Sequence, residues 1–463
     1  MPGSRDDRRE DDLLRDSWPG GDDGPQRPDS HTSLRVTYFL FLGMGLATLL
    51  PWNLFISASE FFRYQFAGSP HAQTFQNSFS VTYMVTNLVS NIYAMLTVTK
   101  SNPNRRILGG LAANTLAYAV GVLMPTMHGM RGSASFFVVL LQLATCAAAS
   151  GMLTNSLFAL VAHFPAGHAE GILSGQAVAG IIATTAQLAA AYSVAPADES
   201  GIQGSNAGRV ADPADDLIRR TVGYFGFALA VNLGLIAAFW YVNRNPYYQQ
   251  QSKLAYQPDD SVRTASSETE QLVTVVPPTT PDELPPLTSD AAAFWHAFRQ
   301  VSGYSYVILL DFALTLSLFP SVTALVTSTS GFKLLTEWHF FVYNVADFLG
   351  RRFAPSIRIS GVSSLMSLAL ARLLLIPAFF ACHVSFSVWY NGIDSDGVFL
   401  ALVLVLGSTN GYLSTRSAMI APGLSSHPTI AGSIVAISIS AGLALGAVLS
   451  WPVRAAGCLC LPF

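Results

Sequence analysis

The chain has 463 residues, 51% of them hydrophobic and only 11% charged, with a formal net charge of −3. A soluble domain carries roughly 25% charged residues. This depletion, with apolar runs of about 20 residues recurring throughout, excludes a soluble globular protein and implies an all-α polytopic membrane protein.

Residues 1–35 mix acids, bases, Gly and Pro without an apolar stretch, which predicts a disordered cytoplasmic tail and no cleavable leader. Eleven candidate spans follow, near 36–58, 76–98, 107–127, 135–163, 171–194, 221–242, 301–328, 334–355, 362–384, 397–420 and 429–450. Turn clusters such as Ser101-Asn-Pro-Asn104, Pro165-Ala-Gly167, Asp394-Ser-Asp-Gly397 and Ser425-Ser-His-Pro428 separate them. Residues 243–300 contain no apolar span and are rich in Ser, Thr and Pro, which predicts a flexible cytoplasmic connector. It divides the chain into six spans over 36–242 and five over 301–463. Lys and Arg concentrate in the tail, in the connector and at Lys100, Arg105, Arg106, Arg351, Arg352 and Arg358, which puts the N-terminus inside. Arg209, Arg219 and Arg220 oppose this locally.

In the first span, Leu49-Leu-Pro-Trp-Asn-Leu-Phe55 offers an aromatic face at Trp52 and an amide at Asn53. An interfacial Trp with an Asn cap accounts for it equally. Gln142, Gln176 and Gln187 suit interhelical hydrogen bonds, and Gly171-x-x-x-Gly175, Gly407-x-x-x-Gly411 and Gly442-x-x-x-Gly446 suit close helix packing. Pro51, Pro320 and Pro377 each remove a backbone donor within or at the end of a span. Cys146, Cys382, Cys458 and Cys460 lack metal or disulfide spacing and read as packing residues.

The eighth span carries the chemistry. Asn344, Asp347 and Arg351, spaced i, i+3, i+7, share one helical face. Ionisable groups at bilayer depth are costly and mark a solute or ion path, and an acid beside a base suits a polar, uncharged solute. The alternative is an ion pair that only locks one helix to its neighbours.

These residues resemble a family. Leu50-Pro-Trp-Asn53, Ser174-Gly-Gln176, Leu318-Phe-Pro-Ser-Val-Thr323, Asn344-x-x-Asp347-x-x-Gly350-Arg351, Ala371-Arg372-Leu373, Asn410-Gly-Tyr-Leu413 and Gly442-Leu-Ala-Leu-Gly446 are similar, in order, to landmarks of the equilibrative nucleoside transporters. The resemblance implies a major-facilitator-like 6+5 pair of bundles holding a nucleoside near the midplane. It implies that Asp347 and Arg351 contact the nucleoside and that Trp52 and Leu49 line the cavity beside the base; Asn344, on the same helical face, is expected to fix the pair from behind. Such carriers work by alternating access without ATP, by facilitated diffusion or linked to protons. Membrane lipid is the surrounding solvent; no cofactor, metal, nucleic acid or obligate protein partner is implied.

Three positions depart from the pattern. Thr154 stands where such carriers often have a Gln that touches the base. Asp311 occupies a usually apolar position, and Arg416 is likewise unexpected. Asp311 and Arg416 are expected to pair across the C-terminal bundle; alternatively, Asp311 titrates and couples protons to transport. Arg372 reads as a packing residue.

Only Lys100, Lys253 and Lys333 exist, none in a Gly-x-x-x-x-Gly-Lys-Ser/Thr loop, which argues against an ATP-driven pump. His163 and His168 lack the spacing of a zinc-protease helix. An intramembrane aspartyl-type enzyme would need Asp311 and Asp347 to share a proton, which Arg351 one turn from Asp347 opposes. A non-transporting nucleoside sensor is the remaining class. The expected location is the plasma membrane. Arg9-Glu-Asp-Asp-Leu-Leu14 approaches an acidic dileucine sorting motif and keeps a lysosomal or other endomembrane alternative open. Ser261, Thr264, Ser266 and Ser267 in the connector are candidate phosphorylation positions.

Overall fold

A computed structural model describes residues 28–72, 74–126, 132–194, 213–256, 289–359, 361–384 and 392–458. The sorting motif and the four candidate phosphorylation positions lie outside these residues. The helices are α1 (Pro28–Ser57), α2 (Ser59–Gln65), α3 (Phe75–Leu96), α4 (Pro103–Leu123), α5 (Ser133–Val161), α6 (Gly167–Val194) and α7 (Pro213–Val242). They continue with α8 (Pro246–Ala255), α9 (Ser289–Leu318), α10 (Leu335–Phe353), α11 (Val362–Ala371), α12 (Leu375–Phe380), α13 (Asp396–Leu424) and α14 (Pro428–Cys458). Among the described residues there is no strand, only isolated bridges such as that of Val326 with Val384.

Nine stretches of the described residues are helical, long and apolar enough to cross a membrane. The predicted spans at 76–98 and 334–355 correspond to α3 and α10, which fall short of that combination. The reason is compositional. Asn87, Ser90 and Asn91 lie on α3, while His339, Asn344, Asp347, Arg351 and Arg352 lie on α10.

Two expected boundaries differ. Residues 28–35, assigned to a disordered tail, form the first turns of α1. The stretch 243–300, assigned to a flexible connector, is helical at both ends, where α8 forms and where α9 starts at Ser289. Local chemistry explains α8: Asn245 caps it by accepting from the amides of Tyr247 and Tyr248, and Pro246 occupies its first turn. The Tyr248 hydroxyl then donates to Asn104 Oδ1 at 2.9 Å, docking α8 on the start of α4.

The glycine pairs do what their spacing predicts. Gly175 of α6 meets Leu42 of α1, Gly407 and Gly411 of α13 meet α10, and Gly442 and Gly446 of α14 meet α9. A Cβ at Gly407 would lie 2.6 Å from the Tyr343 carbonyl oxygen, and one at Gly411 would lie closer still to that of Asp347. Without side chains there, the α10 and α13 backbones come into direct contact. The three glutamines also act between helices: Gln142 donates to the Ala117 carbonyl, Gln176 to Thr48 Oγ1 and Gln187 to Ser57 Oγ.

Two seams join α1–α7 to α9–α14. In one, α6 packs on α10 and α13 while also packing on α1, and the Asn344 side chain fits over the bare Cα of Gly180. In the other, α14 packs on α3 and α5 through buried amides and hydroxyls. Asn155 Nδ2 donates to Asn91 Oδ1 at 2.9 Å, Asn91 Nδ2 to Ser440 Oγ at 2.8 Å, and Ser433 Oγ to Asn155 Oδ1 at 3.3 Å. His163, at the end of α5, bonds Thr429 Oγ1 at 2.8 Å.

Candidate functional site

Helix α10 presents Asp347 and Arg351 on one face, as their spacing requires, and that face lies against α13. Arg351 Nε donates to Asp347 Oδ2 at 2.8 Å, an i,i+4 pair in which both residues are 4% exposed. At this depth a lone charge would be costly; the pair cancels formally. Asn410 Nδ2 donates to the other carboxylate oxygen, Asp347 Oδ1, at 2.7 Å. Each carboxylate oxygen therefore already accepts one protein hydrogen bond and retains one lone pair. Arg351 Nη1 is buried and has no protein hydrogen-bond partner.

The expectation that Asn344 fixes this pair is corrected. Its Nδ2 donates to the Phe340 carbonyl of its own helix at 2.9 Å, and its Oδ1 contacts Gly180 of α6. The three-residue offset that puts Asn344 on the same broad face also rotates it far enough to meet α6 rather than α13. Asn410 takes the fixing role, because Gly407 and Gly411 bracket it and draw its backbone against α10.

The expected Asp311–Arg416 pair is also corrected. Asp311, fully buried on α9, forms its ion pair with Arg372. Pro377 cannot donate to the Leu373 carbonyl, and its ring crowds that carbonyl, so the ninth span breaks into α11, a 3-10 turn at Arg372–Leu374, and α12. The turn places Arg372 beside α9. Its Nη2 donates to Thr315 Oγ1 at 2.6 Å and to the Leu406 carbonyl at 3.2 Å. Arg416 instead donates from Nε to the Ile359 carbonyl at 3.1 Å. Asp311 and Asp347 thus each have their own guanidinium.

Trp52 is half-buried on α1 with its ring 4.9 Å from that of Tyr83. Leu49, one turn earlier, is half-buried as well. Helix α6 packs on both α1 and α10. Thr154 is buried on α5, which packs on α3, α4 and α14; the hydrogen bonds beside it belong to Asn155.

Two features escaped the sequence reading. Phe319 and Tyr343 stack at 3.9 Å and 18°, one turn from Asp347, forming a second aromatic face. The i−4 spacing of Tyr343 from Asp347 was available as a clue. Glu170, fully buried at the start of α6, accepts from Tyr38 Oη at 2.9 Å and from Ser174 Oγ at 2.6 Å, within electrostatic range of Arg351 and Arg352. In sequence it reads as an ordinary acid in a first helical turn. Among the described residues no three His, Cys, Asp or Glu side chains cluster as metal ligands.

A family model described as nucleoside transporter matches residues 140–455. The chain is 26% identical to Equilibrative nucleoside transporter 2 of Homo sapiens, covering 92% of this chain and 98% of that one. It is 23% identical to Equilibrative nucleotide transporter 8 of Arabidopsis thaliana, covering 91% and 96%. Among solved structures, the proton:xylose symporter XylE, a major facilitator superfamily protein, superposes with a TM-score of 0.58 at 12% identity, over 91% of this chain and 88% of that one. The human organic anion transporter MFSD10 gives 0.54 at 16% identity, over 93% and 95%. At such identities the likeness is one of fold.

Proposed function

This chain belongs to the nucleoside transporter family, and from that premise we propose that Asp347 and Arg351 form the nucleoside's sugar-binding pair. The protein is a multi-pass membrane protein that carries nucleosides. The observation that carries the site is the buried ion pair on α10, with one carboxylate lone pair per oxygen and Arg351 Nη1 still without a protein partner. Sugar hydroxyls both donate and accept, so they match a carboxylate and a guanidinium together. The face of a heterocyclic base suits Trp52 with Leu49 from α1, and the Phe319–Tyr343 stack supplies a comparable surface beside Asp347.

The six-plus-five division, with eleven crossings, the N-terminus and the connector inside and the C-terminus outside, is the arrangement we adopt. In it, α1 to α7 rock against α9 to α14 about the bound solute, and the concentration gradient supplies the driving force. Opening one side would uncover the Asn91–Asn155–Ser433–Ser440 seam; opening the other would part α6 from α10. No covalent step is involved, and we read the protein as a non-enzyme without an obligate protein partner. With Asp311 paired to Arg372, facilitated diffusion is favoured over proton coupling. Thr154 is retained as a contact approaching from α5, and the plasma membrane as the working location.

The test is reconstitution. Purified protein in liposomes is offered labelled adenosine, uridine and adenine, with and without a pH gradient. Counterflow without an ion gradient is the expected result. A strict requirement for an acid exterior would transfer the mechanism to proton coupling. Binding without movement would leave a sensor.

A further inference from the structure

Hydrogen-bond donors run in one direction from Arg372 to Asp347. Arg372 Nη2 donates to Thr315 Oγ1 at 2.6 Å, Thr315 Oγ1 donates to Asn410 Oδ1 at 2.9 Å, and Asn410 Nδ2 donates to Asp347 Oδ1 at 2.7 Å. The direction is forced. A guanidinium has no acceptor, so the Thr315 hydroxyl must receive from Arg372 and can only point its single hydrogen elsewhere. That hydrogen goes to Asn410, which turns the amide oxygen towards Thr315 and the amide NH2 towards the carboxylate. Asp311 neutralises Arg372 at the far end, and Arg351 meets the second oxygen of Asp347 at the near end. Every member of the chain is buried.

We propose that Thr315 and Asn410 are positioning residues for solute recognition. Through them the Arg372–Asp311 pair sets the rotation of the Asp347 carboxylate, so that its remaining lone pairs meet sugar hydroxyls. The proposal rests on the reading of Asp347 as the hydroxyl acceptor. Three helices contribute to the device: α9 carries Asp311 and Thr315, α13 carries Asn410, and α10 carries the pair itself. The 3-10 turn of the ninth span supplies the guanidinium. With the hydroxyl removed, the Asn410 amide is free to rotate and present its oxygen to Asp347, which repels the carboxylate from its binding orientation. Packing alone has no such dependence on which way a hydroxyl points.

The full chain in liposomes tests this with uridine and 2′,3′-dideoxyuridine, which lacks the 2′ and 3′ hydroxyls and keeps the 5′ one. Wild type is expected to prefer uridine. Thr315→Val should raise KM for uridine about tenfold, the scale of a lost buried hydrogen bond within a network, while KM for the dideoxy analogue stays within about twofold. Thr315→Ser, which keeps the hydroxyl, should restore the preference. The proposal is overturned if Thr315→Val keeps the wild-type ratio of the two KM values, if only the maximal rate falls, or if Thr315→Ser fails as Thr315→Val does. Should wild type carry uridine without preferring it, the hydroxyl reading of Asp347 falls first, and that result is separable from any effect of Thr315.

Discussion

Arg372, in the 3-10 turn that breaks the ninth span, pairs with Asp311 of α9, although 61 residues separate them in the chain. Both groups are buried, so removing either one strands the other's charge away from water. Asp311→Leu and Arg372→Met alone are each expected to destabilise the protein by about 3–5 kcal/mol, whereas the two combined should recover most of that loss. Thermal unfolding in detergent, measured for the two single variants and the double variant, checks the non-additivity. A loss in the double variant equal to the sum of the two single losses would show that the pair is not coupled.

Arg351 should be indispensable to uptake. Arg351→Ala removes the donor to Asp347 Oδ2 and the unpartnered Nη1 together. Uptake of labelled uridine should fall at least about a hundredfold, the combined scale of two charge-assisted hydrogen bonds. Asp347→Ala/Arg351→Ala, which leaves no stranded charge, separates loss of binding from loss of folding. It should reach the membrane at near wild-type abundance and still fail to transport. Wild-type uptake by either variant would remove the site assignment.

The α10–α13 contact depends on bare backbone. Gly411→Ala would drive a methyl into the Asp347 carbonyl, while Gly407→Ala meets the Tyr343 carbonyl at 2.6 Å. Backbone cannot rotate away as a side chain can, so each should cost about 1–3 kcal/mol, with Gly411 the worse. The unfolding midpoints should rank wild type above Gly407→Ala above Gly411→Ala. Separation of the helices at Gly411 should also weaken solute binding, because Asn410 moves with it.

Docking of α8 should be sensitive to alkali. Burial raises the Tyr247 hydroxyl from an ordinary value of 10.0 to about 12 and pushes Tyr248 higher still. A folded value above the unfolded one means that the stabilisation is complete below pH 10 and is lost as pH rises through the folded value. Between about pH 10 and 12 the wild-type unfolding temperature should therefore fall, and Tyr247→Phe/Tyr248→Phe should flatten that part of the profile. An unchanged slope would place both rings outside the titrating set.

Class and fold were readable because the bilayer imposes a coarse rule. Apolar runs of helical length must cross it, and glycines four apart mark where helices touch. The Gly407–Gly411 and Gly442–Gly446 pairs did so, against α10 and α9. The i, i+4 relation of Asp347 and Arg351 was equally secure, since helical geometry alone brings such residues together. The nucleoside reading came from resemblance.

Contacts between helices far apart in the chain were another matter. Nothing in residue spacing ties Asp311 to Arg372 rather than Arg416, or Asp347 to Asn410 rather than Asn344. Those choices turn on small rotations of packed helices, on a proline-induced break ahead of Pro377, and on which glycine lets which backbone approach. Periodicity reports the face a residue occupies; only packing decides what that face meets.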